Sequence, residues 1–169
     1  MAPALVGALL MAALSTAADY VWFLNIPAHN ATSGAIHGAL LFAGLGGYLG
    51  FRKAKMLAGV SGGLLSGVIA ALSFYALSPI GGYSMMLVSW LLLWIFLAAL
   101  QTYLDGQLNI ARAFGRGIIT AVVAGLGFGL VLFQLYRHWP PATFPVFTHF
   151  VAWATAYVPG LYVLLRNPR

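Results

Sequence analysis

The sequence predicts an all-α polytopic membrane protein with six transmembrane helices and both termini cytoplasmic. Three observations carry that prediction: an extreme apolar composition, apolar runs of spanning length, and basic residues confined to alternate breaks. Of 169 residues, 62% are hydrophobic and 6% are charged. Soluble domains carry roughly 25% charged residues, and a water-facing surface cannot be built from so few. Lipid offers no partners for free backbone groups, so helices are the expected solution. Period-two alternation is missing, which argues against a membrane barrel. Cysteine is absent, which removes disulfides and thiolate chemistry.

A span needs about 20 apolar residues. The first, residues 4–24, belongs to "MAPALVGALLMAALSTAADY" and continues through "VWFL". No Lys or Arg precedes the run, as a secretory signal would require, so it reads as a retained span. "NIPAHNAT" forms the next turn, with Asn30 as the helix-start residue of span two, residues 33–51. "RKAK" separates it from span three, residues 56–77, and "SPIGG" reads as a Pro/Gly turn before span four, residues 84–104. "DGQLNIARAFGRG" reads as the longest polar loop, leading to span five, residues 117–136. "RHWPPATFP" holds three prolines, which cannot continue a helix, before span six, residues 144–165.

Charge sets the direction. Arg52, Lys53, Lys55, Arg112, Arg116, Arg166 and Arg169 fall on one side of a six-span chain, and Arg137 falls on the other. The positive-inside rule makes the richer side cytoplasmic. Tyr20, Trp22, Phe23, Tyr83 and Trp139 suit the headgroup interface. The net charge of +6 is explained by these clusters between apolar spans, so no nucleic-acid partner is expected.

Small residues recur at a spacing of four, which puts them on one helix face. Gly34, Gly38, Gly46 and Gly50 do so in span two, Gly59, Gly63, Gly67 and Ala71 in span three, and Gly117, Ala121, Gly125 and Gly129 in span five. Without a Cβ, backbones approach closely, which makes Gly59, Gly63, Gly67, Gly125 and Gly129 expected helix-packing positions. Spans two, three and five are therefore expected to form the compact heart. Span four, "MMLVSWLLLWIFLAAL", is bulky and is expected to face lipid, a partner or a bound acyl chain.

Ionisable groups inside a span are costly, and default to a functional role. At 1.5 Å rise per residue, Asp19 lies roughly 8 Å below the outer end of span one, His37 about 6 Å into span two and His149 about 8 Å into span six. Gln134 lies close to the outer end of span five. Four polar side chains from four helices thus share the outer third of the membrane, with His29 and His138 just above at loop level. They can clasp one another, Asp19 accepting from His37, or roof an apolar cavity as a site for a lipid headgroup. A metal or a bis-histidine haem are further options, although HxxxH spacing is missing and no catalytic triad is recognisable. In span six, Pro159 frees a carbonyl and Gly160 adds bendability, so a kink is expected there. Such a kink could open a lateral gap for lipid.

The overall plan resembles the insulin-induced gene (Insig) family and its bacterial homologues. "YLGFRKAK" at 48–55 resembles the end of that family's second span and its basic loop, and "FGRGIITAVVAGLGFGLVLFQLY" at 114–136 is similar to its fifth span. The family's "WVPP" at the start of span two reads "NIPAHN" here, and the aspartate that follows its second span is replaced by Arg52 and Lys53. No functional residue is carried over. The resemblance implies a non-enzymatic lipid receptor of a bacterial cytoplasmic (inner) membrane, with a membrane-open pocket for a sterol- or diacylglycerol-like lipid. The competing readings are a metal-dependent enzyme acting on a lipid headgroup, a transporter or channel subunit, and a structural or assembly subunit. A second copy of the chain or another membrane protein is the remaining class of partner. No cofactor other than a lipid ligand is expected.

Overall fold

The computed structural model describes residues 2–26, 30–107, 109–138 and 145–166. All regular structure among them is helical: α1 (Ala2–Asn25), α2 (Ala31–Phe51), α3 (Met56–Gly81), a 3-10 turn (Gly82–Met85), α4 (Met86–Leu104), α5 (Ile110–His138) and α6 (Pro145–Leu165). Five stretches are long and apolar enough to cross a membrane, and one of them, Met56–Leu104, is a 49-residue stretch holding both α3 and α4. His29, Trp139, Arg169 and the side chains of Phe23, Arg137 and His138 lie outside what is described.

Helix boundaries follow local chemistry. Asn30 caps α2: its side chain accepts from the Ser33 N–H at 3.0 Å, and the Ser33 hydroxyl accepts from the Asn30 N–H at 3.1 Å. This reciprocal box satisfies two of the orphan donors at the helix start. The break after span three falls at Gly82, the last residue of the expected "SPIGG" turn, because Pro79 is accommodated inside α3. Proline removes the hydrogen bond to the carbonyl four residues back. Ser78 Oγ donates to that carbonyl, Tyr75 O, at 3.3 Å. Gly82 then turns the chain at φ 60°, a left-handed conformation that costs glycine nothing. The expected long polar loop before span five also shortens. Asn109 Oδ1 accepts from the Arg112 N–H at 2.9 Å and starts α5 at Ile110, so Arg112 and Arg116 are helical.

The helices close into a ring. α1 packs on α2 and α6, α2 on α3, α3 on α4, α4 on α5, and α5 on α6. Consecutive helices around the ring run antiparallel. Gly46 near the end of α2 meets Gly59 near the start of α3, Gly62 of α3 meets Leu100 of α4, and Gly117 of α5 meets Ile95 of α4. Short loops between long helices require this arrangement.

The contacts between α2 and α3 are backbone to backbone. A Cβ at Gly63 would sit 2.8 Å from Gly46 Cα, one at Gly59 2.6 Å from Gly50 Cα, and one at Gly67 2.5 Å from the Gly38 carbonyl carbon. On α5, Gly125 faces the Trp90 ring, 3.2 Å from a Cβ there. Gly129 corrects the expectation. It is exposed, and a Cβ there would meet no described atom within 4 Å. The close approach falls instead at Gly127, against the Thr155 carbonyl of α6.

The expected heart of spans two, three and five is also corrected. Among the described residues α5 touches neither α2 nor α3. The central element is α4, which touches α2, α3, α5 and α6 and contributes the fully buried Trp94, Leu97 and Ala98. Bulky side chains allow one helix to reach several neighbours at once, whereas glycines serve one tight pair.

One end of the bundle gathers the charged segments. The Tyr48 hydroxyl donates to the Pro3 carbonyl, Lys53 Nζ pairs with Asp105 Oδ1 at 2.7 Å, and Lys55 Nζ donates to Leu104 O at 3.0 Å. Arg116 donates to the carbonyls of Leu164 and Arg166, both at 3.3 Å. The α2–α3 turn, the α4–α5 loop and the first and last described segments therefore share this end.

Candidate functional site: a polar ladder between α1, α2 and α6

α1 presents Ser15 and Asp19 one turn apart, and α6 presents His149, Trp153 and Tyr157 at a spacing of four. Both sets lie on single helix faces. Antiparallel packing turns these faces into rungs. Ser15 Oγ and Tyr157 Oη are 2.9 Å apart and share a buried hydrogen bond. Trp153 Nε1 donates to Asp19 Oδ2 at 2.7 Å. The rings of Tyr20 and His149 meet edge to face at 6.0 Å.

α2 adds the third wall. His37 Nε2 lies 3.3 Å from Asp19 Oδ1, and the two side chains remain 24% and 16% exposed. The Trp22 ring packs on the His37 ring at 4.9 Å between centroids. Asp19 thus binds α1 to α2 through one oxygen and to α6 through the other. A carboxylate buried this far needs such partners. Its remaining lone pairs can accept further hydrogen bonds.

Below the ladder lies a row of aromatic rings. Trp153 stacks on Tyr157 at 5.4 Å and 17° and meets Phe128 at 4.9 Å. Trp90 joins them, donating its indole N–H to Ala121 O at 3.0 Å. Trp94 is wholly buried against Tyr157 and Gly160, and its Nε1 has no hydrogen-bond partner among the described residues. Stacked and edge-on rings favour a stiff, apolar floor.

Of the four polar residues expected to share a layer, the structure joins Asp19 and His37 directly. His149 stands beside them through Tyr20. Gln134 is apart: its side chain is exposed on α5, which touches neither α1 nor α2 among the described residues. Trp153, Tyr157 and Ser15 were not anticipated. The spacing of four through His149, Trp153 and Tyr157 is the sequence signal for them, and it is the same spacing that apolar core positions show.

Pro159 lies inside α6, which continues as α-helix through it. The carbonyl that proline frees is Thr155 O, where Gly127 of α5 approaches. The Thr155 hydroxyl donates along its own helix to Val151 O at 2.9 Å. Backbone proximity covers the exposed carbonyl, since a glycine Cα–H can approach it as a weak donor.

Ser15 bonds to Tyr157 rather than to an imidazole, so no activated nucleophile is assembled there. Among the described residues no three His, Cys, Asp or Glu side chains converge as a metal site would require. Comparison with protein-family models, curated proteins and solved structures finds no match for the chain.

Proposed function

We propose that this protein is a non-enzymatic integral membrane protein that binds a lipid, with Asp19, His37 and His149 receiving the lipid's polar head. In this reading the chain crosses the membrane six times. The 49-residue stretch Met56–Leu104, broken at Gly82, supplies two passes, and the basic end of the bundle is cytoplasmic. A bacterial inner membrane is the setting that the Insig resemblance implies.

The observation that carries the reading is the partial exposure of the Asp19–His37 pair. A pair that served only as a clasp between helices needs no opening to a ligand. Here both remain reachable beside Trp22 and Tyr20, aromatics of the kind found at headgroup level. The carboxylate can accept a hydrogen bond from a hydroxyl without losing its existing donors. A sterol or diacylglycerol offers one such hydroxyl and no charge, which suits a site deeper than the phosphate layer. Below it the floor is apolar.

Purification in a mild uncharged detergent, followed by lipid extraction and mass spectrometry, tests this. The expected result is enrichment of a hydroxyl-bearing neutral lipid that is lost in H37A and D19N. A folded wild-type protein carrying only the bulk lipid composition would overturn it.

A further inference from the structure

The opposite end of the bundle holds a second feature. Only two acidic residues exist in the chain, Asp19 and Asp105. Asp19 belongs to the ladder, and Asp105 pairs with Lys53 while accepting from Gln101 Nε2 at 2.9 Å. Lys55 is held by the Leu104 carbonyl and lies 5.8 Å over the Tyr103 ring.

Arg112, Arg116 and Arg166 form no direct ion pair with a carboxylate among the described residues, although Asp105 attracts Arg116 from a distance. Arg112 reaches the neutral Gln107 Oε1 at 2.9 Å. Arg116, one turn along α5, holds the Leu164 and Arg166 carbonyls, which places it over the end of α6 and beside Arg166. Each guanidinium has more N–H donors than these contacts use. Arg112 and Arg116 repel each other, and Arg166 adds a third cation at the same helix pair, so an anion placed among them is favoured.

The surface below them is apolar and open. At 100° per residue, positions 112, 119, 126 and 130 fall on one side of α5. Ile119, Leu126 and Leu130 are all exposed. Gly115 borders this face, and a Cβ there would meet no described atom within 4 Å. A cationic head above an apolar track is complementary to one amphiphile: an anionic head above an acyl chain.

We propose that Arg112, Arg116 and Arg166 seat the phosphate of one anionic phospholipid, whose acyl chain lies along Ile119, Leu126 and Leu130. Arg112 and Arg166 supply the exposed donors, and Arg116 fixes the two helices that carry them. The bidentate geometry of guanidinium suits phosphate oxygens. This seat lies at the far end of the bundle from Asp19, so its failure leaves the headgroup reading there untouched.

Native mass spectrometry of the full chain in uncharged detergent tests it, with phosphatidylglycerol and phosphatidylcholine as probes. Wild type is expected to retain one phosphatidylglycerol in preference to phosphatidylcholine. R112Q and R166Q should each weaken it about five-fold, the effect of one basic residue near an anionic lipid. I119Q should weaken both lipids without altering charge, and R52Q, on the same end but outside the seat, should leave binding unchanged. Equal loss in R52Q would mean diffuse attraction and would overturn the seat, as would equal binding of the two lipids. Displacement by inorganic phosphate as effective as by phosphatidylglycerol would overturn the acyl track. Thermal unfolding without added lipid verifies that R112Q and R166Q are folded. If either is not, the remaining arginine variant and I119Q decide the outcome.

Discussion

Trp153, near the middle of α6, donates its indole N–H to Asp19 Oδ2 of α1 at 2.7 Å, across 134 residues of sequence. The same carboxylate faces His37 of α2. Three helices are thus tied at one acidic side chain, and its removal should be felt by all of them.

D19A should destabilise the bundle by about 1–3 kcal/mol, the cost of leaving buried donors unmade. W153F should cost less, because it removes donor and ring edge but leaves Asp19 with His37. The double variant D19A/W153F should lose less than the sum, since both substitutions break one bond. Thermal unfolding in detergent measures all three; strict additivity would show that the contact contributes nothing.

Glycine substitutions should divide sharply by position. Gly63→Ala drives a Cβ onto the Gly46 backbone, and overpacking of this kind costs typically about 1–3 kcal/mol. Gly129→Ala meets open space and should be neutral or stabilising by up to about 1 kcal/mol, the helix preference of alanine over glycine. Unfolding temperatures of the two variants, compared with wild type, give the answer; a neutral Gly63→Ala would contradict the close α2–α3 contact.

At the charged end, Asp105 should matter more than its partner. Lys53 is a partly exposed cation, so K53A should cost less than about 1 kcal/mol. D105A also strands Gln101 Nε2, on a side chain that is 2% exposed and whose Oε1 already lacks a partner among the described residues. A loss of about 1–3 kcal/mol is expected. Chemical denaturation of both variants checks the order.

Topology is open to direct labelling, because the chain has no native cysteine. Single cysteines at Arg52 and Gln107 should react with an impermeant thiol reagent from the same side of sealed vesicles, and one at Tyr83 from the other. Labelling of all three from one side would contradict six crossings.

Much of the fold was legible in the sequence because lipid imposes a one-dimensional rule. Apolar length, basic clusters and helix punctuation act locally, and Asn30 could be recognised as a helix start from its own neighbourhood. Two boundaries were less legible because local compensation overrode punctuation. Ser78 covers the carbonyl that Pro79 frees, so α3 runs on to Gly81. Asn109 caps α5 well before the apolar run begins. In the candidate site, counting residues along each helix put Asp19, His37 and His149 at one expected level, but a level says nothing of azimuth. Gln134 was expected at the same level, but its side chain is exposed on α5.

The sequence by itself determined that this is an all-helical chain with apolar helices of spanning length. Tertiary structure alone decided which helices are neighbours. It placed α4 at the centre, set Gly127 rather than Gly129 against α6, and made Trp153 the partner of Asp19. The physical reason is that hydropathy and capping are properties of a residue and its near neighbours along the chain. Ring order and helix rotation are set by side chains far apart in sequence that must fill the same space.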